Sequence, residues 1–167
     1  MRKVVLLAVD IRSTHNVGAF FRTADGFNAH VVLTGITPRP NGGNGDKRLP
    51  HVVVKAHDAI HKTALGAEQS VQWRYYEYLE DAFIAAREDG YKIYAIEQAK
   101  TSNPLQDLPV DENIVLVMGP EVDGLQDSVL AQCDGIFEIP MTGKKESFNV
   151  SVAAGIALYQ SRQSYLW

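Results

Sequence analysis

Two unbroken apolar runs, Val4–Val9 (VVLLAV) and Ile114–Met118 (IVLVM), constrain this chain more than any other feature. A strand that is apolar at every position must be covered on both faces, which is the condition of a parallel sheet with helices on either side. The segments between such runs carry helical periodicity. Residues 15–27 place Val17, Phe20, Phe21, Ala24 and Phe27 at helical spacing, and Leu79–Glu88 sets Leu79, Phe83 and Ala86 on one stripe with Gly90 as its stop. Further strands are predicted at His30–Ile36, Val71–Tyr76, Lys92–Ile96 and Gly135–Ile139, and further helices at 56–64, 126–132 and Asn149–Arg162. The Pro/Gly/Asn-rich stretch Thr37–Pro50 is the longest loop. Strands alternating with helices predict an α/β fold, a mostly parallel sheet with helices on both faces. The 167 residues fit one domain, 1–167.

Composition excludes several classes. With 46% hydrophobic and 22% charged residues the chain is neither disordered nor collagen-like. Its one cysteine, Cys133, cannot form an internal disulfide and points to the cytoplasm, with the thiol read as a small core group. Met1-Arg2-Lys3 resembles the start of a signal peptide, but the apolar run behind it stops at Asp10, and no stretch approaches the roughly 20 apolar residues of a membrane span. A net charge of −4 argues at first against a polyanionic partner. The charge is unevenly spread: residues 1–62 carry +5 and residues 63–167 carry −9, so a basic face on an acidic body is equally compatible.

The common nucleotide and catalytic motifs are absent. Gly119 and Gly124 have P-loop spacing but are followed by Leu125-Gln126, with no lysine for a phosphate. Gly43-Asn44-Gly45 sits in a loop and opens no helix, which argues against a dinucleotide fingerprint. His57 and His61 share a helix face without a third ligand, so no metal is expected. Ser13, Ser147 and Ser151 lie in no nucleophile elbow.

Three segments are unusual. The first, Asn16-Val17-Gly18-Ala19-Phe20-Phe21-Arg22, opens a helix just after the first strand, where a phosphate or ribose can bind; Asn16 as a helix cap and Arg22 as a surface charge are the alternatives. The second, Met118-Gly119-Pro120-Glu121-Val122-Asp123-Gly124-Leu125, ends a strand in a glycine that allows close backbone approach and then offers a carboxylate. The third runs from Ile139-Pro140-Met141 through a Gly/Lys loop to Ser147-Phe148-Asn149 and a helix of small residues. Both later segments, and Ile96-Glu97-Gln98, lie at strand ends, where ligands of open α/β sheets bind.

In this order and spacing the three segments resemble the signature motifs of the SpoU/TrmH family in the SPOUT superfamily: Asn-x-Gly-x-x-x-Arg, Gly-x-Glu-x-x-Gly-Leu, and Ile-Pro-Met-x-Gly-x-x-x-Ser-Leu-Asn-Val-Ser. The motifs span residues 16–154. The resemblance implies a SPOUT-type fold with a deep C-terminal trefoil knot and a homodimer. It implies S-adenosylmethionine as methyl donor, no metal, and transfer to a ribose 2′-hydroxyl of RNA, tRNA ahead of rRNA. A catalytically silent RNA-binding member and a base-methylating relative are the rival readings. On this sequence the donor site falls to Ile96, Gly119, Glu121, Leu125, Ile139, Met141, Ser147, Phe148 and Asn149. Apolar walls with a few polar groups suit an adenine. The catalytic set implied is Arg22, Asn16, Glu121, Ser147 and Asn149, with Arg22 acting on the acceptor hydroxyl and Asn16 orienting the ribose or Arg22.

Phe148 stands where the family has leucine, and Pro120 and Val122 also depart from common choices. The chain begins almost at its first strand, so RNA is expected to be gripped by this domain itself across a dimer. Arg12, Arg39, Lys47, Arg48, His51 and Lys55 are candidate RNA contacts, with Lys144 and Lys145 near the donor. The apolar Tyr165-Leu166-Trp167 is expected to pack on a partner or on its own core.

Overall fold

Every residue of β1 (Val4–Val9) is buried, as the unbroken run requires. Alternate side chains enter two separate cores, Val4, Leu6 and Ala8 on one face and Val5, Leu7 and Val9 on the other. The computed structural model describes residues 2–43, 46–109 and 112–163. After β1 come α1 (Thr14–Gly26), β2 (His30–Thr34), α2 (Pro50–Ala64), α3 (Ala67–Ser70), β3 (Trp73–Tyr76), α4 (Leu79–Glu88), β4 (Lys92–Ile96) and β5 (Asn103–Pro104). A 3₁₀ turn at Leu105–Asp107 follows, then β6 (Ile114–Met118), α5 (Asp127–Leu130), β7 (Gly135–Glu138) and α6 (Val150–Arg162). The seven strands form one sheet in the order β3-β2-β1-β6-β4-β7-β5, and each neighbouring pair runs parallel.

Helices cover both faces, as expected. Phe20 and Phe21 of α1, Ile60 of α2 and Leu158 of α6 join the core under Leu6, Leu116 and Met118, while Ala82 and Phe83 of α4 join Leu7, Ile93 and Val117 on the other side. Full burial of a phenylalanine contributes roughly 1.5–3 kcal/mol. Phe21 also meets Trp73 edge-on, with ring centroids 6.2 Å apart. At the far end of the chain the buried Arg162 donates to the carbonyls of Phe27, Asn28 and Arg2, tying α6 to the end of α1 and the start of β1.

Some boundaries differ from expectation, each for a local reason. β2 stops at Thr34 because Gly35 turns the chain at φ +61°, letting Asp10 accept from the Ile36 amide at 3.0 Å. Val71 closes α3, donating to the Ala67 carbonyl, so β3 starts at Trp73. α2 begins six residues before the expected 56–64 helix, at Pro50, whose fixed φ and missing N–H suit a first helical position. α5 covers only Asp127–Leu130, since the amides of Gln132 and Cys133 bond three residues back, in turns. β7 ends at Glu138, before Pro140 can interrupt the ladder. The short α3 and β5 had no periodicity to announce them. Tyr165, Leu166 and Trp167 lie outside the described residues, as do Asn44 and Gly45 of the long loop. Among the described residues no helix is long and apolar enough to cross a membrane.

Candidate active site

At the carboxyl ends of β6, β4 and β7 the strand-end segments converge. Ser13 caps α1, accepting from the Asn16 amide at 3.3 Å, so Asn16 is not the cap and stands in the first helical turn. Its side chain, nearly buried at 9% exposure, is free to reach sideways. Asn16 Nδ2 donates to Glu121 Oε1 at 2.8 Å, and Asn149 Nδ2 donates to Asn16 Oδ1 at 3.3 Å. Asn149 in turn caps α6, its Oδ1 accepting from the amide of Ser151 at 2.8 Å. One chain of side-chain hydrogen bonds therefore joins all three motifs.

Gly18 does not face this site. A Cβ there would lie 2.3 Å from the Ile60 carbonyl oxygen and 2.1 Å from Thr63 Oγ1, so the glycine is what lets α1 and α2 cross. Of the Asn16–Gly18 helix start, only Asn16 turns its side chain toward Glu121 and Asn149, and Gly18 serves packing.

Behind Glu121 the loop from Gly119 to Leu125 is held from below. A Cβ on Gly119 would come within 2.8 Å of Leu125, and Gly124 adopts φ +64° beside Glu97. Glu97 accepts from the Leu125 amide at 3.0 Å through Oε2 and from the Gln98 amide at 2.9 Å through Oε1. The strand end Ile96-Glu97-Gln98 thus braces the second motif. Ser102 Oγ donates to Glu138 Oε2 at 2.7 Å, fixing the carboxylate at the end of β7.

The convergence leaves a cleft of about 340 Å³, within the usual range of small-molecule sites. Ile96, Gly119, Glu121 and Ile139 line it on the strand-end side, and Ser147, Phe148 and Asn149 close it from the loop before α6. Leu125 and Met141 are not in the lining: Leu125 is buried behind Gly119, and Met141 stands half-buried just past Pro140. Met118, Val150 and Ala153 add apolar wall.

Charge in the cleft is one-sided. Glu97, Glu121, Asp123, Glu138 and Glu146 line it, with no lysine or arginine among the described lining residues. Burial raises the Glu121 carboxyl, but bonds from Asn16 and from backbone groups of Glu121, Arg12 and Ser13 outweigh it and hold the group below the usual glutamate value. Glu121 is therefore a carboxylate at neutral pH. Sequence reading did not assign Glu97, Glu138 or Glu146 to the site; for Glu97, an acidic residue directly after a buried strand was the available signal.

Arg22 lies exposed on α1, outside the lining, and takes no hydrogen bond or ion pair from the described residues. The basic candidates are scattered. Arg12, Lys47, His51, Lys55, Lys144 and Lys145 are exposed. Arg39 rests over the Tyr75 ring, 3.6 Å from its centroid. Arg48 is already engaged, pairing with Asp46 and donating to the carbonyls of Arg39 and Pro40, and so it staples the long loop. Of the histidine pair His57 and His61 on α2, His61 bonds the buried Glu68 through Nδ1 at 2.7 Å, and His57 stacks on His61. Among the described residues no group of three or more His, Cys, Asp or Glu is placed to hold a metal ion.

Residues 48–159 match the SpoU rRNA Methylase family. A 23S rRNA (guanosine-2′-O-)-methyltransferase RlmB of a Burkholderia species is 34% identical over 158 residues, covering 94% of this chain and 58% of that protein. A tRNA (guanosine(18)-2′-O)-methyltransferase of Thermus thermophilus is 28% identical over 163 residues, covering 98% of this chain and 76% of that protein. The AdoMet-bound rRNA methyltransferase of Sinorhizobium meliloti shares the fold, with TM-score 0.78 at 21% identity over 99% of this chain and 57% of that one. This chain thus spans little more than half the length of the Burkholderia and Sinorhizobium proteins. The family match begins at residue 48, beyond the first motif, whose link to the other two is the Asn16 hydrogen bonds.

Proposed function

Since the chain belongs to the SpoU rRNA Methylase family, we propose that it transfers a methyl group from S-adenosylmethionine to a ribose 2′-hydroxyl of RNA, with tRNA the first substrate class to test and rRNA the second. The observation that carries this reading is the Asn149–Asn16–Glu121 chain, which brings all three motifs to the mouth of one cleft. The lining fits the donor: Ile96, Met118, Ile139 and Phe148 offer apolar walls for an adenine, and the carboxylates favour a group that bears a sulfonium and an ammonium. When bound, the donor supplies an already activated methyl group, so the chemistry calls for no metal and no covalent intermediate.

What the protein contributes is placement and charge. Asn16 and Asn149 lock the Glu121 carboxylate at the junction of α1, α6 and the 119–125 loop. Holding the acceptor oxygen in line with the methyl carbon supplies roughly 7–11 kcal/mol of barrier reduction in well-oriented reactions. The acceptor loses its proton to a base or to solvent as the O–C bond forms. A guanidinium steadies the developing alkoxide by charge and hydrogen bonding, and Arg22 is assigned that role. Its position outside the lining is accommodated by a homodimer, in which α1 of a second copy reaches over the cleft. A single domain over 1–167, a cytoplasmic location and a knotted C-terminal path belong to the same proposal. The insertion of β7 between β4 and β5, with α6 packed back on α1 near β1, supports that path.

The test is incubation with labelled donor and bulk tRNA or rRNA, followed by digestion and identification of the labelled nucleoside. A 2′-O-methyl nucleoside that disappears with Arg22→Ala is the expected result. RNA binding without label, or label on a base, refutes it.

A further inference from the structure

The mouth of the proposed donor cleft is acidic, and RNA phosphates are repelled there. A polyanion that presents its ribose to this mouth needs cationic and stacking contacts elsewhere on the same edge of the sheet. β3 is the outermost strand on one side, and its sequence is Trp73-Arg74-Tyr75-Tyr76. Together with Arg39 and Lys47 of the long loop it lines a second, open depression of about 760 Å³. Three strand spacings separate β3 from β6 and four separate it from β4, so the near edge and the middle of the cleft stand about 14 Å and about 19 Å from β3 across the sheet. A single-stranded RNA segment of a few nucleotides spans that gap.

The depression is organised in advance. The Tyr75 hydroxyl donates to the Gly35 carbonyl at 2.8 Å, which fixes the ring, and the Arg39 guanidinium lies over its face, 3.6 Å from the centroid. Trp73 is held edge-on against Phe21. Asp46 is the one carboxylate among the described lining residues, and Arg48 neutralises it through a 2.5 Å contact. Arg39 and Lys47 are left with no acidic residue of the depression to offset them, whereas Arg74 is engaged by Tyr76 and Asp89. A planar cation fixed on an aromatic ring, with further positive charge around it, suits a nucleobase and its phosphates.

We propose that this β3 edge is a subsite for single-stranded RNA, where a base a few nucleotides from the methylated one stacks on the Arg39–Tyr75 pair while Lys47 meets a phosphate. The proposal rests on the RNA methyltransferase reading and adds the place where the substrate is gripped.

Fluorescence anisotropy of the full chain with fluorescein-labelled single-stranded RNA of mixed sequence tests it. Arg39→Ala weakens binding about tenfold or more, and Arg39→Lys stays close to Arg39→Ala, because charge without a planar face does not stack. Calorimetry with S-adenosylmethionine checks that both variants keep their fold. In a Trp167→Phe background Trp73 is the sole tryptophan, and its emission is quenched by RNA independently of any change at Arg39. Wild-type affinity in Arg39→Ala, full affinity in Arg39→Lys, or unchanged Trp73 emission overturns the subsite. Equal competition by polyglutamate also overturns it, marking an acidic-protein surface instead. If the wild type methylates RNA while these variants bind RNA normally, the subsite falls and the enzyme reading stands. If Arg39-dependent binding occurs without methyl transfer, the reverse holds.

Discussion

Two glycines of α1 provide a test of packing against propensity. By helix propensity alone, replacing either Gly18 or Gly26 with alanine stabilises the helix by up to about 1 kcal/mol. The structure separates them. At Gly26 a Cβ meets nothing within 4 Å, whereas at Gly18 it would lie 2.3 Å from the backbone oxygen of Ile60. Relieving that contact means moving α2 away from α1 by roughly 1 Å, the kind of overpacking that costs about 1–3 kcal/mol and more when backbone must shift. Taking about 3 kcal/mol for the clash and about 1 kcal/mol for the helical gain, Gly18→Ala is destabilising by about 2 kcal/mol. At this chain length that lowers the melting temperature by about 4–8 °C. Gly26→Ala raises it by a few degrees. Thermal and urea unfolding of both variants, beside donor calorimetry, makes the measurement. A Gly18→Ala protein as stable as the wild type refutes the reasoning, and one that keeps its stability but loses donor binding shows that Gly18 contacts ligand.

Asn16→Ala removes both links of the motif network and, because Glu121 is exposed, is destabilising by only about 1 kcal/mol, while methyl transfer falls at least tenfold; equal turnover of the two proteins would contradict the network. Glu121 titrates below its ordinary 4.5 in the folded chain, so its contribution to stability is present above that value and is lost as pH falls through the lower folded value. Asn16→Ala moves that loss to higher pH, and the melting curves of wild type and variant converge in strong acid. Gly124→Ala forces a side chain into a left-handed φ of +64° beside Glu97, costing about 1–2 kcal/mol and weakening donor binding in calorimetry. Burial pushes the Cys133 thiol up to about 11, with Asp134 adding to the rise and Arg87 opposing it. At pH 8 its thiolate fraction is therefore about a hundredfold below that of a free thiol, and after the greater nucleophilicity of a high-pKa thiolate its reaction with a disulfide reagent is about tenfold slower.

Much of this architecture could be read in advance because the signals were local. Leu79–Glu88, Lys92–Ile96 and Ile114–Met118 begin and end where periodicity and flanking residues place them. The elements that escaped have no such pattern: two-residue β5 exists only because β7 offers it an edge, and α3 is a single turn. In the site, Gly119, Glu121, Ser147, Phe148 and Asn149 line the cleft as their motif positions implied. Leu125 does not, since it is buried against Gly119, and Met141 stands outside the lining beyond Pro140. Glu97 was hidden because its function is to brace the Gly124–Leu125 turn, a partner 28 residues away.

Residue order alone therefore determined the parallel α/β character and the three chemically unusual strand ends, because burial periodicity and turn chemistry act over a few residues. Tertiary structure decided which ends meet. It turned Asn16 toward Glu121 and Asn149, turned Gly18 into a helix crossing, engaged Arg48 with Asp46 and left Arg22 outside the cleft. Those outcomes depend on strand order and helix docking between segments as much as 133 residues apart, a long-range choice that no local pattern encodes.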